Sequence, residues 1–119
     1  MMKSVLIVDD DPGFRGLVHR IILALGLEVA GEADTVAGAL TAAAKLHPEA
    51  VLIDVGLPDG DGASLAAEIT ALPWRPRVVL TSSDPDAVDA DRAEQVGAIG
   101  FVPKCDLTNG SLLGMLTGA

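Results

Sequence analysis

A chain of 119 residues with a net charge of −9 at neutral pH has room for one hydrophobic core and not for two. Eight Lys and Arg scattered among 17 Asp and Glu form no basic patch, which excludes direct contact with a nucleic-acid backbone. The lone cysteine, Cys105, excludes an internal disulfide, and no apolar run is long enough for a signal peptide or a membrane span, so a cytoplasmic protein is expected.

The first apolar run, Val5-Leu6-Ile7-Val8, reads as a strand and ends in Asp9-Asp10-Asp11. Asp11 before Pro12 has the form of a helix N-cap followed by a first-turn proline. The helix runs over residues 12–25, with Phe14, Leu17, Val18, Ile21, Ile22 and Leu25 on one face and Gly26 as its stop. Residues 28–32 make a short, half-polar strand suited to a sheet edge. Residues 35–46 form an Ala-rich helix, closed before Pro48. A third strand then delivers one carboxylate, Asp54, into a turn of Pro, Gly and Asp. A helix over 63–72 follows, and Pro73-Trp74-Arg75-Pro76 is a stiff surface connector. Val78-Val79-Leu80 is the fourth apolar run and ends in Thr81-Ser82-Ser83. Asp84-Pro85 repeats the N-cap signature and opens a helix to Val96, stopped by Gly97. The fifth run, Ile99 to Val102, precedes Lys104, and a last helix begins near Asp106.

Five strand–helix pairs predict an α/β domain over 1–119, a doubly wound five-stranded parallel sheet in the flavodoxin-like (βα)5 order 2-1-3-4-5. That order sets strands one and three side by side, so Asp9, Asp10 and Asp54 meet in one cleft beside Thr81 and Lys104. Three carboxylates in a small site call for a hard divalent cation, and Mg²⁺ suits oxygen ligands in octahedral geometry. A metal beside a carboxylate, an ammonium and a hydroxyl is the set needed to receive a phosphoryl group. The chain has no nucleotide-binding glycine motif, so the donor comes from outside.

The segments V-D-D-D-P-G-F-R, I-D-V-G-L-P-D-G-D-G, V-L-T-S-S and G-F-V-P-K resemble, in order and spacing, the four blocks of a response-regulator receiver domain of the CheY-like family. The resemblance covers essentially the whole chain. It implies that Asp54 accepts a phosphoryl group from a sensor histidine kinase or a small acyl phosphate. It also implies Mg²⁺ held by Asp10 directly, by Asp9 partly through water, by Asp54 and by the Gly56 carbonyl. Lys104 and Thr81 would contact phosphoryl oxygens, and Phe101 would follow Thr81 as the switch aromatic. The result is a signalling switch rather than a turnover enzyme. The resemblance implies action through the surface of the fourth helix, fifth strand and fifth helix, on a partner or on an output domain. The G-F-V-P-K block followed by a polar helix start is similar to that of regulators with a DNA-binding output domain. Small residues at Gly56, Ser82 and Ser83 imply easy access for water and a short-lived phosphoryl group. Two positions depart from the family pattern: Cys105 stands where Pro usually follows the Lys, which puts a cis bond in doubt, and position 101 is Phe rather than Tyr.

Other features have plainer readings. Asp59-Gly60-Asp61-Gly62 brushes against a calcium loop but reads better as a polar turn. His19 and His47 lie on or at the ends of helices, away from the cleft. The C-terminal segment carries Leu107, Leu112, Leu113, Met115 and Leu116 with one charged companion, Asp106, and is expected to offer a homodimer or partner surface. A phosphohydrolase of the haloacid-dehalogenase type would need an acid at position 56, which is Gly. A phosphorylation-independent interaction module would have lost one of the acids or the Lys.

Overall fold

Side-chain alternation along the central strands decides the architecture. The structure, a computed structural model, describes residues 3–118. Strands β1 (Ser4–Val8), β2 (Glu28–Ala33), β3 (Ala50–Asp54), β4 (Arg77–Ser82) and β5 (Gly100–Pro103) form one sheet in the order β2-β1-β3-β4-β5. Every neighbouring pair is parallel, as the alternation of elements requires. All of β3 is buried. Val5, Ile7, Ala50 and Leu52 turn to one face of the sheet, and Leu6, Val8, Val51 and Ile53 to the other.

Helices α1 (Pro12–Ala24) and α5 (Leu112–Thr117) cover the first face through Val18, Ile22, Leu112 and Leu116. The second face is covered by α2 (Val36–Leu46), α3 (Gly62–Thr70) and α4 (Ala90–Gln95). Their contact residues are largely small: Ala39, Ala43, Ala63, Ala66 and Ala93 are all buried and let the helices lie close to the strands. Each fully buried Leu, Ile or Val contributes about 1.5–3 kcal/mol over an exposed one. Two short segments, Gly56–Leu57 and Gly60–Asp61, pair as a small antiparallel hairpin beyond the end of β3.

Polar side chains set the helix starts. Asp11 accepts from the N–H groups of Gly13 and Phe14, Thr35 from Gly38, Asp61 from Ala63 and Asp89 from Arg92. Helix α2 ends on His47 in the left-handed region at φ 47°, unusual for a non-glycine. The imidazole stacks on Trp74 with ring centroids 4.0 Å apart, and Trp74 Nε1 donates to the Pro48 carbonyl at 3.0 Å. That packing offsets the backbone cost.

Several boundaries differ from the sequence expectation, most of them by one or two residues. The helix expected from Asp84-Pro85 begins only at Ala90, because Asp84 Oδ1 accepts from the Asp86 N–H at 2.9 Å and Ser82 Oγ from the Asp84 N–H at 3.1 Å. Such local bonds compete with helix formation. The last helix starts at Leu112 rather than near Asp106. Lys104–Asp106 form a single 3₁₀ turn, Gly110 takes φ 97°, and Asn109 Oδ1 binds both the N–H and the hydroxyl of Ser111. Helix α3 stops at Thr70, and β2 runs on to Ala33. The C-terminal apolar side chains are also less available than expected. Leu107, Leu112 and Leu116 are buried, and Leu113 alone of the five is clearly exposed.

The calcium-like stretch is a pair of helix caps. Asp59 accepts from the N–H groups of Val36 at 2.7 Å and Ala37 at 3.1 Å, and these bonds lower its pKa below the usual carboxylate value. A lowered folded-state pKa contributes stability above the unfolded value and loses it as pH falls through the folded one. Asp59→Ala is therefore expected to lower the thermal midpoint at neutral pH. The gap to wild type should close as the pH drops below the carboxylate range, measured by circular dichroism melts across pH.

Candidate functional site

Because β1 and β3 are adjacent, with Val8 opposite Ile53, the residues that follow each strand emerge at the same edge. One oxygen from each of Asp9, Asp10 and Asp54 lies within 4.8 Å of the others. Asp9 and Asp54 are buried and Asp10 is exposed. Thr81 stands opposite Asp54 on β4, its buried hydroxyl without a hydrogen-bond partner among the described residues. Lys104, just past β5, reaches in with Nζ 2.8 Å from Asp9 Oδ2 and 3.5 Å from Asp54 Oδ2. All five polar residues expected at the cleft are therefore brought together.

Burial raises the pKa of Asp54, the charge of Asp9 raises it further, and Lys104 and the Gly56 N–H at 3.3 Å only partly compensate. Burial pulls the Lys104 ammonium down, but its bond to Asp9 and the charge of Asp54 outweigh that and leave it raised. Lys104 is thus a firmly held cation. One ammonium does not balance three carboxylates. Asp9 Oδ1 accepts from the Asp11 N–H at 2.8 Å, whereas its buried Oδ2 has the Lys104 contact but no aligned hydrogen bond. Three carboxylates with one ammonium among hard oxygen donors fit a small divalent cation.

Gly56 and Gly62 shape the loop beside Asp54. Gly56 is exposed at the start of the hairpin, paired with Asp61. Gly62 donates its N–H to the Val55 carbonyl at 2.8 Å, and a Cβ there would collide with the Asp54 carbonyl oxygen and the Val55 Cα. Phe101 is half-buried against the α2–α3–α4 face. It lines a groove of about 460 Å³ with Val88, Ala90, Ala93, Glu94 and Ile99. Ser82 is buried and its hydroxyl serves Asp84, so only Ser83 of that pair is open to solvent.

Two neighbours of the cleft were not assigned to it from sequence. Phe14, expected only as core, places its ring 4.0 Å from Lys104 Nζ. Arg15 donates from Nη1 to the Asp9 carbonyl at 2.7 Å and from Nε to Glu32 at 3.1 Å. Their position one turn after the acids was visible in the sequence, but their direction depends on how α1 packs. His19 pairs with Glu32, the partner of Arg15, and His47 stacks on Trp74. Cys105 is exposed, and there is no cis peptide among the described residues.

Residues 5–114 match the response regulator receiver domain. The chain belongs to that family. BvgA of Bordetella pertussis is 36% identical over 104 residues, which span 87% of this chain and 50% of that protein. NarL of Mycobacterium tuberculosis is 37% identical over 101 residues, 84% of this chain and 47% of that protein. The chain thus spans about half the length of these relatives. Its structure is similar to the signal receiver domain of M. tuberculosis NarL, with a TM-score of 0.78 at 36% identity, covering 87% of this chain and 84% of that one. The fold also matches a LuxR-family two-component response regulator from Aurantimonas, with a TM-score of 0.85 over 99% of this chain and 87% of that one at 24% identity.

This receiver domain makes two stability expectations testable. Gly62→Ala forces a side chain into the backbone of Asp54 and should cost about 1–3 kcal/mol in urea denaturation. Asp54 carries a pKa raised above its ordinary value of 3.8, so its contribution is fully present below that value and is lost as pH rises through the raised one. Asp54→Asn, which has no charge to desolvate, should melt above wild type at neutral pH in metal-free buffer and lose that advantage in acid.

Proposed function

We propose that this receiver domain is a phosphorylation switch in which Asp54 accepts a phosphoryl group from a sensor histidine kinase or a small acyl phosphate. The observation that supports it is the cluster of three carboxylate oxygens within 4.8 Å, with the Lys104 ammonium 2.8 Å from one acid and 3.5 Å from another. Asp9, Asp10, Asp54 and the Gly56 carbonyl are the groups that would hold Mg²⁺. When bound there the ion supplies positive charge to offset the acids and the phosphoryl oxygens. A carboxylate oxygen of Asp54 attacks phosphorus in line, and the new O–P bond forms as the donor's bond to phosphorus breaks. Lys104 already lies within reach of Asp54 and moves from carboxylate to phosphoryl oxygen over a short distance. Thr81 has an unpartnered hydroxyl ready to donate to another.

Phosphorylation adds about −1.5 to −2 charge at Asp54. Drawing Thr81 toward that charge frees space beside β4, and Phe101 turns into it from the α4–β5 groove. The two shapes of the α4–β5–α5 surface are populations that phosphorylation reweights. The Staphylococcus aureus protein described as a DNA-binding response regulator of the LuxR family shares this fold, with a TM-score of 0.84 at 19% identity. On that pattern the surface governs a DNA-binding output domain in a longer protein, and the domain itself is a cytoplasmic switch rather than a turnover enzyme. No helix among the described residues is long and apolar enough to cross a membrane. A homodimer through the C-terminal helix would have a narrow apolar strip beside Leu113 and Ile21, since Leu107, Leu112 and Leu116 face the core.

Incubation with acetyl phosphate and Mg²⁺ should add one phosphoryl group, detected by intact mass. The adduct should be absent with Asp54→Asn or with EDTA, and its formation slowed roughly 10-fold or more by Asp10→Asn. Full labelling of the Asp54→Asn variant would overturn this assignment.

A further inference from the structure

We propose that Arg15 is a positioning residue for the Asp9–Asp10 acid pair and that Glu32 sets its pose; this rests on the reading that the cleft binds a divalent cation. Arg15 is half-buried in the first turn of α1. Its Nη1 donates to the backbone carbonyl of Asp9 at 2.7 Å, a short charge-assisted bond, while Nε donates to Glu32 Oε1 at 3.1 Å. The guanidinium therefore spans three elements: the end of β1, the first turn of α1 and the edge strand β2.

The atom it holds matters more than the span. The Asp9 carbonyl belongs to the peptide that joins Asp9 to Asp10, so fixing that oxygen fixes the peptide plane from which Asp10 departs. Asp9 is otherwise well restrained. Its N–H donates to the Ala33 carbonyl at 3.0 Å, and its Oδ1 accepts from the Asp11 N–H at 2.8 Å. Asp10 is exposed and makes no hydrogen bond or ion pair among the described residues. Its direction is thus set by backbone alone, and Arg15 supplies the side-chain restraint on that backbone.

Glu32 has an electrostatic part as well. An unpaired guanidinium beside two acids would compete with a divalent cation for them. Glu32 offsets that charge, and its other oxygen is engaged 3.2 Å from His19 Nδ1. Arg15 then aims the acid pair without adding net positive charge to the cleft. A merely structural arginine would staple α1 to β2 and alter only stability.

The test is Mg²⁺ affinity of the full chain by calorimetric titration, with a urea midpoint for each variant. Arg15→Met should weaken Mg²⁺ binding roughly 10-fold while the protein remains folded, in the range found for groups that orient metal ligands. Arg15→Lys, which can still donate to the Asp9 carbonyl, should recover part of the loss. Glu32→Ala should also weaken binding, and adding it to Arg15→Met should cost nothing more. Unchanged Mg²⁺ affinity in Arg15→Met, with only the urea midpoint shifted, overturns the inference while leaving the cation site intact. An Arg15→Lys variant no better than Arg15→Met overturns it as well. A wild-type protein that binds no Mg²⁺ overturns the reading of the cleft and this inference with it.

Discussion

Two buried carboxylates share one ammonium, and the structure around them is arranged to keep that imbalance in place. At 4 Å a pair of like charges repels by about 4 kcal/mol at the effective dielectric near a protein surface. Asp9 and Asp54 both sit where water is scarce, and Asp54 carries the consequence as a raised pKa. Lys104 relieves part of the repulsion, and Phe14 backs the ammonium on an aromatic face. What remains is an excess of negative charge, three carboxylates to one ammonium, at a cluster that could hold a metal ion. Any change of charge at Asp54 would alter the balance for Asp9 and Lys104, since Asp9 raises its pKa and Lys104 lowers it.

The acids outside the cleft show how the fold isolates it. Asp11, Asp59, Asp61 and Asp89 resemble the cleft acids in sequence, yet each is bonded to N–H groups at the start of a helix. The partial positive charge of a helix N-terminus satisfies them locally. Asp9 lies two residues before one such cap and Asp54 five before another, yet both face inward. A loop acid and a cleft acid thus differ by a few residues of chain and by whether a helix N-terminus or a buried sheet edge receives them.

The hairpin after β3 connects these parts. Gly56 touches Asp54 through its N–H, Asp59 caps α2, Asp61 caps α3, and Gly62 packs its backbone against Asp54 and Val55. Movement at Asp54 is therefore felt first in a rigid turn anchored to two helices. On the other side of the cleft the chain is less regular. Asp84 to Asp89 form turns instead of helix, and α4 is only six residues long beside the groove that Phe101 lines.

Much was legible in the sequence because local rules govern it. Apolar runs bounded by turn residues located four of the strands and a half-polar stretch the edge strand, and their alternation with helices dictated a parallel sheet, whose handed crossovers leave few orders. Asp9, Asp10, Asp54, Thr81 and Lys104 could be singled out because each ends or follows a strand at the same edge. Helix starts were less legible where several acids compete, since Asp84 closes a turn on Asp86 that pattern alone cannot tell from a cap. Only the packed structure decided where Phe14 and Arg15 point, because α1 can be rotated on its axis without altering its apolar spacing. The same holds for the C-terminal leucines, whose period allowed an exposed stripe until the sheet face claimed Leu107, Leu112 and Leu116. Spacing along the chain determines which residues reach an edge or a face. Which of them touch is decided by the close fit of one element on another, because that fit depends on every side chain at the contact rather than on any one segment.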